Sequence, residues 1–147
     1  MKKMKTYNLF LDDFRMPVDC SRYMQNPGLY NLNQWVIVRN YDEFVKFIEK
    51  NGLPDMISFD HDLADEHYSN DMYSGTEVYN KNYETFTEKT GMDCAKWLVN
   101  YCMDKDQDLP EYIVHSMNPA GGKNIWEYLE NYRKFREQEE YNRYHGE

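Results

Sequence analysis

The chain has 147 residues, of which 41% are apolar, and a formal net charge of -9. This length suits one folded domain, and the composition is that of a globular rather than a disordered protein. The acidic charge argues against broad binding to duplex nucleic acid, which needs a basic surface, whereas one small anion can still be held by a metal, a helix N-terminus or a single arginine.

Four short apolar runs, each bounded by polar or turn residues, predict buried strands. In chain order they cover residues 7–11, 35–39, 56–59 and 112–115. Short apolar runs that alternate with helical patterns are typical of a parallel sheet with right-handed crossovers. The sequence therefore predicts a three-layer α/β fold with a short, mostly parallel sheet.

Three amphipathic patterns predict helices between and after these strands. The first follows a capping Asn40 and ends near Gly52 and Pro54, and the second follows Thr90 and Gly91. The third begins near Ile125 and runs into a charged C-terminal helical tail that we expect to fray. We treat residues 1–147 as a single domain.

Two irregular segments interrupt the alternation of strands and helices. We therefore expect fewer full helices than a regular alternation would have. Residues 14–34 contain two prolines, a glycine and several asparagines, which makes a full helix there doubtful. Residues 63–89 form a polar, irregular insertion whose aromatic side chains would either close over a ligand as a lid or pack the loop onto the body. These aromatic residues are Tyr68, Tyr73, Tyr79, Tyr83 and Phe86.

Polar side chains follow three of the predicted strands, and the carboxyl ends of parallel strands meet at one edge of a sheet, where ligands bind. They are Asp12 and Asp13, then Asp60, His61 and Asp62, and finally His115, Ser116 and Asn118. Clustered carboxylates repel one another unless a cation lies between them, and Mg²⁺ or Mn²⁺ prefers such oxygen ligands. We therefore expect a divalent cation bound by aspartates of this edge: Asp12, Asp13, Asp60 and Asp62.

The same edge carries groups suited to phosphoester cleavage. His61 or His115 would move a proton near neutral pH, and a bound cation would neutralise a phosphoryl oxygen. Arg15 follows the first acidic pair and is the best single phosphate clamp by residue type. The glycines of "PAGGK", at 119–123, would free backbone N–H groups for an anion at a helix N-terminus, although the spacing is not that of a P-loop.

Each of these residues also has a structural interpretation. The aspartates would serve as turn or helix-capping residues, and His115 would be a hydrogen-bonded core histidine. Ser116 and Asn118 would shape the turn into the last helix. The convergence of three strand ends on one edge favours the functional interpretation for the set as a whole.

The cysteines and the hydropathy pattern bear on the compartment. Cys20, Cys94 and Cys102 are odd in number and lack CxxC spacing, so we expect reduced thiols. The first apolar run stops at two aspartates, which does not fit a signal peptide, and no run approaches the length of a membrane span. We expect a cytoplasmic protein without a membrane partner.

The segments "LFLDDFRMP", "SFDHDLADEH", "TGMDCAKWL" and "HSMNPAGGKNI" occur in this order from Leu9 to Ile125. Together they resemble the successive motifs of the cyclic-phosphate processing receiver-like domain, a family common in bacteria and their phages. The resemblance implies a receiver-like (flavodoxin-like) fold and the handling of cyclic phosphates. It also implies that Asp12 and Asp13 are the acidic metal-binding pair and that Asp60 stands where receivers carry their phosphoacceptor.

The chain departs from ordinary receivers in ways that weaken a signalling role. His61, Asp62, His115 and Asn118 are additions typical of the cyclic-phosphate family, and no final strand carries the lysine that receivers use. Our leading hypothesis is a metal-dependent phosphoesterase acting on a 2',3'-cyclic RNA end or a cyclic nucleotide. In it Asp60, His61 and His115 are catalytic, while Arg15, Ser116 and Asn118 position the phosphate.

Two other functions stay open at this point. One is a protein that sequesters a cyclic nucleotide without cleaving it, for example as a phage counter to host defence. The other is a phosphorylatable receiver that switches a partner.

Overall fold

The structure, a computed structural model, describes residues 6–63 and 89–145. Within them lie four strands, β1 (Asn8–Leu11), β2 (Trp35–Val38), β3 (Met56–Phe59) and β4 (Glu111–Val114). The sheet order is β2-β1-β3-β4, and every pairing is parallel. The predicted strands are confirmed, with ends that differ by at most one residue, and the sheet is wholly rather than mostly parallel.

The register of the sheet explains why its polar residues meet. Leu11 is paired with both Val38 and Phe59, and Phe59 is paired with Val114, so all four strands end at one level. The residues that follow them therefore emerge side by side at the carboxyl edge. Backbone hydrogen bonds continue one step beyond the strands, from Asp60 N to Leu11 O and from His115 N to Phe59 O.

The described residues contain five helices, of which the last follows β4: α1 (Pro17–Cys20), α2 (Pro27–Leu32), α3 (Tyr41–Asn51), α4 (Gly91–Lys105) and α5 (Pro119–Tyr144). The predicted cap of α3 is confirmed, because the Asn40 side chain accepts a hydrogen bond from Glu43 N. Thr90 and Asp93 form a capping box at the start of α4. Helices α3 and α4 thus begin where their capping residues predict, whereas α5 begins at Pro119, ahead of the predicted start near Ile125.

Helices cover both faces of the sheet. Alternate residues of β1 divide between two clusters, with Leu9 and Leu11 in the larger one and Phe10 in the smaller one. The larger cluster joins α3, α4 and α5 to the sheet, and the smaller one includes Cys20 of α1 and Tyr30 of α2. This arrangement is the expected three-layer α/β fold.

The first crossover is irregular, as its prolines predict. Instead of one full helix it contains the short α1 and α2, and each of them has a proline at its start. The predicted insertion at 63–89 lies outside the described residues apart from its two ends, as do all of its aromatic side chains. Among the described residues, no fifth strand follows β4.

The last helix reaches Tyr144, through residues that the sequence predicts to fray. Ion pairs accompany this extension. Arg133 pairs with Glu130 and Glu137, and Arg136 pairs with Asp106 beyond the end of α4. Pairs at three- and four-residue spacing support a helix surface, which accounts for the longer helix.

Two further observations concern the cysteines and the helices. Cys20, Cys94 and Cys102 are free and fully buried, as expected of reduced thiols. None of the helices in the described ranges combines the length and the apolar character that a membrane span needs.

Candidate active site

The site is built around Asp12, which directly follows β1 and is fully buried. Its Oδ1 accepts hydrogen bonds from the backbone N–H groups of Phe14 (3.0 Å) and Arg15 (2.8 Å). Its Oδ2 accepts from His115 Nε2 (2.9 Å) and Arg15 Nη1 (3.2 Å). Burial would raise the pKa of Asp12, but the hydrogen bonds from His115 and the two backbone amides outweigh it and lower the pKa to about 2. Asp12 is therefore a fixed, ionised carboxylate.

Asp60, which directly follows β3, is the second buried carboxyl group, with 3% of its surface exposed. Burial and the charge of Asp12 raise its pKa to about 7, against the opposing effects of Arg15 and the His61 backbone N–H. The charge of Asp13 raises this pKa further, which places the Asp13 carboxylate within electrostatic reach. Without an added cation, Asp60 thus holds its proton up to nearly neutral pH.

His115 lies beneath these carboxylates and is fully buried. Its Nε2 contacts Asp12, its Nδ1 lies 2.6 Å from Ser58 Oγ, and its ring stacks on Phe10. Burial lowers the pKa of His115, although Asp12 opposes this shift. Both ring nitrogens are engaged within the protein, so the geometry favours the hydrogen-bonded core histidine over the predicted acid or base that reaches substrate.

Arg15 supplies the cation of the site in this structure. Its Nη1 lies 3.2 Å from Asp12 Oδ2 and 3.9 Å from Asp60 Oδ2, and its side chain is 18% exposed. The guanidinium also lies near the rings of Phe14 and Tyr23. The predicted phosphate clamp is therefore at the correct edge, where it bridges the two buried carboxylates.

A more open group of residues, which we call the rim, consists of His61, Asp62 and Asn118. His61 Nδ1 lies 2.8 Å from Asp62 Oδ1, and Asn118 Nδ2 donates to Asp62 Oδ2 at 3.4 Å. The side chains of His61 and Asp62 are 21% and 27% exposed. Because a carboxylate accepts the Nδ1 proton, the Nε2 atom of a neutral His61 ring is left with a lone pair.

Ser116 and Asn118 make the hydrogen bonds expected of residues that shape the turn between β4 and α5. Ser116 Oγ accepts a hydrogen bond from Asn118 N, and Asn118 Oδ1 accepts from Gly121 N at the start of α5. Asn118 is thus a helix cap as well as a member of the rim. Its amide nitrogen is the part that faces Asp62.

Two glycines hold the helices against residues 60 and 61. A Cβ atom on Gly91 would lie 1.8 Å from the Asp60 carbonyl oxygen, and one on Gly121 would lie 2.5 Å from His61 Cγ. Gly91 N also donates to His61 O at 2.7 Å. The positions of Asp60 and His61 are therefore set by close contact with the first turns of α4 and α5.

We predict that Gly91→Ala lowers the free energy of unfolding by about 3 kcal/mol, because the atoms it would strike are backbone atoms that cannot rotate away. Gly122→Ala is the matched control, since its Cβ would meet only side-chain atoms, at 3.2 Å or more. Urea denaturation of both variants measures the difference. Equal stability of Gly91→Ala and the wild type would contradict this close approach.

Comparison with known protein families identifies one family that matches most of the chain. The family model for the cyclic-phosphate processing receiver domain matches residues 7–131. The chain belongs to this family. Comparisons with curated proteins and with solved structures found no significant match.

Membership in the cyclic-phosphate processing receiver domain family agrees with the fold. The sheet order β2-β1-β3-β4 is the receiver order without a fifth strand among the described residues. Asp12 and Asp60 follow the first and third strands, where the resemblance places the metal-binding acid and the phosphoacceptor. The residues that the resemblance assigns to this family as additions to ordinary receivers occupy two places, with His115 beneath the buried carboxylates and His61, Asp62 and Asn118 in the rim.

The donor set of this receiver domain fits a hard divalent cation. Ligand atoms of Asp12, Asp60 and His115 lie within 4.8 Å of one another, the one such group found in the described ranges. Because His115 Nε2 is directed at Asp12, the two carboxylates are the available oxygen ligands. Asp13 and Asp62 lie outside this group, and Asp62 contacts His61 instead. Mutual repulsion of the two buried carboxyl groups is what a cation would relieve.

Three residues of the site were not anticipated from the sequence. Ser58 and Tyr30 lie behind His115, with the Tyr30 hydroxyl 2.8 Å from Ser58 Oγ. Arg39 Nη1 donates to the carbonyl oxygens of Asp12 and Arg15 and so fixes the loop after β1. The sequence held one signal, because Ser58 is the polar interruption of the apolar run "MISF" and a buried hydroxyl needs a partner.

Proposed function

We propose that the protein is a metal-dependent phosphoesterase that opens a cyclic phosphate, either a 2',3'-cyclic RNA end or a cyclic nucleotide. The observation that carries the proposal is that a carboxylate pair and a histidine–carboxylate pair occupy one sheet edge. Asp12 and Asp60 form a buried pair suited to a cation, while Asp62 and His61 form a partly exposed pair suited to proton transfer. Family membership supports a cyclic phosphate as the substrate class.

In this proposal Asp12 and Asp60 are the cation ligands, and Mg²⁺ or Mn²⁺ is the cofactor. A bound divalent cation would offset the charge that develops on the phosphate oxygens. Arg15 contacts the same two carboxylates, so a bound cation would free its guanidinium to bind the substrate phosphate. Ser116 and Asn118 border the site on the β4 side and contribute polar contacts to the phosphate.

His61 is the residue that moves the proton. With Nδ1 donating to Asp62, Nε2 can accept a proton from the attacking water, as in a histidine–carboxylate pair of a hydrolase. The water oxygen bonds to phosphorus, one ring P–O bond breaks, and the proton on Nε2 passes to the leaving oxygen. The product is a phosphomonoester with a free hydroxyl. Asp62 orients His61, which replaces its predicted role as a cation ligand.

The test offers 2',3'-cyclic and 3',5'-cyclic nucleotides to the full chain with Mg²⁺ or Mn²⁺ and with EDTA. We expect turnover of at least one class with a cation and none with EDTA. His61→Gln should reduce kcat by about 100-fold or more, because general acid–base catalysis contributes on this scale. His145→Gln, at an exposed position of the C-terminal helix end, is the matched control. No turnover of any of these substrates would contradict the proposal.

One observation favours a second candidate, a protein that binds a cyclic nucleotide without cleaving it. Arg15 already supplies a positive charge between Asp12 and Asp60, so the carboxylate pair is partly neutralised without a metal. Calorimetry in EDTA that shows tight binding, with intact nucleotide recovered afterwards, would favour this candidate. Cation-dependent turnover would exclude it.

A further inference from the structure

A row of buried hydrogen bonds runs behind the candidate cation site. It joins Tyr30 Oη to Ser58 Oγ (2.8 Å), Ser58 Oγ to His115 Nδ1 (2.6 Å), and His115 Nε2 to Asp12 Oδ2 (2.9 Å). None of the four side chains is more than 3% exposed. The row starts at Tyr30 in the first crossover, continues through Ser58 of the central strand β3 and His115 after the edge strand β4, and ends at Asp12 after β1.

The proton positions in this row follow from Asp12. Three of the four hydrogen-bond contacts to its carboxylate come from N–H groups that can only donate, and these favour the ionised form of Asp12. An ionised carboxylate can only accept, so His115 Nε2, at the fourth contact, carries a proton. In a neutral ring Nδ1 then accepts, and the hydroxyl of Ser58 must donate to it. Since the only proton of Ser58 is used there, its oxygen accepts from Tyr30.

If the hydrogen bonds ran in the opposite direction, from His115 to Tyr30, the Tyr30 hydroxyl would be left as an unsatisfied donor. If His115 carried protons on both nitrogens, Ser58 would accept from Nδ1 and donate to Tyr30. The Tyr30 hydroxyl would then need another acceptor, and the part of the chain that the structure describes provides it with none. A buried donor without an acceptor costs free energy, so the direction from Tyr30 to Asp12 is favoured.

We propose that Tyr30 and Ser58 are positioning residues that hold His115 as an Nε2-protonated donor and thereby fix the Asp12 carboxylate for cation binding. They touch neither substrate nor cation and act through His115. Partners that orient a ligand from behind it typically change metal affinity 10- to 100-fold when removed. The direction of the row follows from geometry alone, while its effect on a cation depends on the proposed function.

The first test is the tautomer of His115, observed by long-range ¹H–¹⁵N NMR of the full-length protein without added metal. The His115 signals are assigned by their loss in His115→Gln. We expect Nε2 to be protonated and Nδ1 to be unprotonated and hydrogen-bonded. Ser58→Ala should move the Nδ1 resonance toward that of a nitrogen without a hydrogen bond, and Tyr30→Phe should move it less. A protonated Nδ1 in the wild type would overturn the proposal.

The second test is Mg²⁺ affinity by calorimetry. Ser58→Ala should weaken it about 10-fold, Tyr30→Phe by less, and Ser58→Thr should restore the hydroxyl and most of the affinity. The effects of Ser58→Ala and Tyr30→Phe should be non-additive because the two residues act in one row. Tyr132→Phe is the matched control, since it removes a hydroxyl from a buried tyrosine whose partner, Gln107, precedes β4, whereas His115 follows that strand.

The two tests separate this inference from the proposed function. If the wild type binds no divalent cation but the His115 signals behave as expected, the cation-dependent function is wrong. The direction of the hydrogen bonds from Tyr30 to Asp12 would still be supported. If the wild type binds Mg²⁺ and Ser58→Ala changes neither the Nδ1 resonance nor the affinity, the positioning role is wrong.

Discussion

Replacing Asp60 with asparagine is expected to stabilise the cation-free protein at pH 8 and to abolish both cation binding and turnover. The stabilising effect arises because burial and the charge of Asp12 raise the pKa of Asp60 to about 7, from an ordinary value of 3.8. A neutral amide does not carry the charge that these effects disfavour. The same amide is a much poorer ligand for Mg²⁺ or Mn²⁺ than a carboxylate.

The sign of the pH dependence follows from proton linkage. Between pH 4 and pH 7 the folded protein keeps a proton on Asp60 that the unfolded chain has lost, so the free energy of unfolding falls as pH rises through this window. The loss is on the order of a few kcal/mol for a shift of this size. Asp12 behaves oppositely, because its pKa of about 2 makes its contribution present above pH 4 and lost as pH falls toward 2.

Urea denaturation in EDTA at pH 5 and pH 8 measures this effect. The wild type should be less stable at pH 8 than at pH 5, and Asp60→Asn should remove most of that difference. Asp12→Asn should instead destabilise the protein at pH 8, and Asp104→Asn, at an exposed position of α4, is the neutral control. A lower free energy of unfolding for Asp60→Asn than for the wild type at pH 8 would contradict the repulsion between the carboxyl groups.

Asp60→Asn should lower the activity of the protein although it raises the stability. Under the proposed function, loss of the cation would remove several kcal/mol of stabilisation from the developing charge, which corresponds to more than a 100-fold fall in kcat/KM. Asp60→Asn would therefore be a more stable and inactive protein. A variant that keeps wild-type turnover would show that Asp60 is not a cation ligand.

Arg15→Met is expected to strengthen cation binding and to weaken phosphate binding. Arg15 Nη1 lies near the Oδ2 atoms of both Asp12 and Asp60, so its guanidinium would compete with the proposed divalent cation for the same two oxygens. A charge-assisted hydrogen bond of this kind contributes about 1.5 to 3 kcal/mol, so its removal should raise Mg²⁺ affinity about 10-fold or more. Methionine keeps much of the length of the side chain but cannot clamp a phosphate.

Calorimetry with Mg²⁺ alone, and then with inorganic phosphate in the presence of Mg²⁺, separates the two effects. Arg22→Met is the matched control, because it removes the same charge from a side chain that is 76% exposed and pairs with Asp19. We expect Arg22→Met to change either affinity less than 2-fold, since exposed ion pairs contribute little. Weaker Mg²⁺ binding by Arg15→Met would show that Arg15 supports the cation rather than competes with it.

The sheet and its carboxyl edge could be predicted from the sequence because their signals are local. Buried parallel strands appear as short apolar runs, and the residue after each run must emerge at one edge once the strands are parallel. The parallel strands therefore predict that Asp12, Asp60 and His115 lie close together, as they do in the structure. The helices were predicted equally well where a cap such as Asn40 marks the start.

The roles of individual residues within the edge could not be predicted in this way. His61 and His115 both follow a buried strand, and only the packing of Phe10, Ser58 and Asp12 around His115 distinguishes the buried ring from the exposed one. Tyr30 reaches Ser58 from a crossover without any periodicity, so no sequence pattern predicts their contact. The direction of the side chains also determines that Asp62 contacts His61.

The glycines at the starts of α4 and α5 have a consequence for how this site can change as sequences diverge. The spacing between Asp60 and α4 is set by two backbones in contact, and a peptide group has no rotamers through which a substitution could be accommodated. Side chains on the outer surfaces of both helices can therefore drift without moving the carboxylates, whereas Gly91 and Gly121 cannot. A transplant of this site into another parallel sheet would need those two glycines as much as it needs the aspartates.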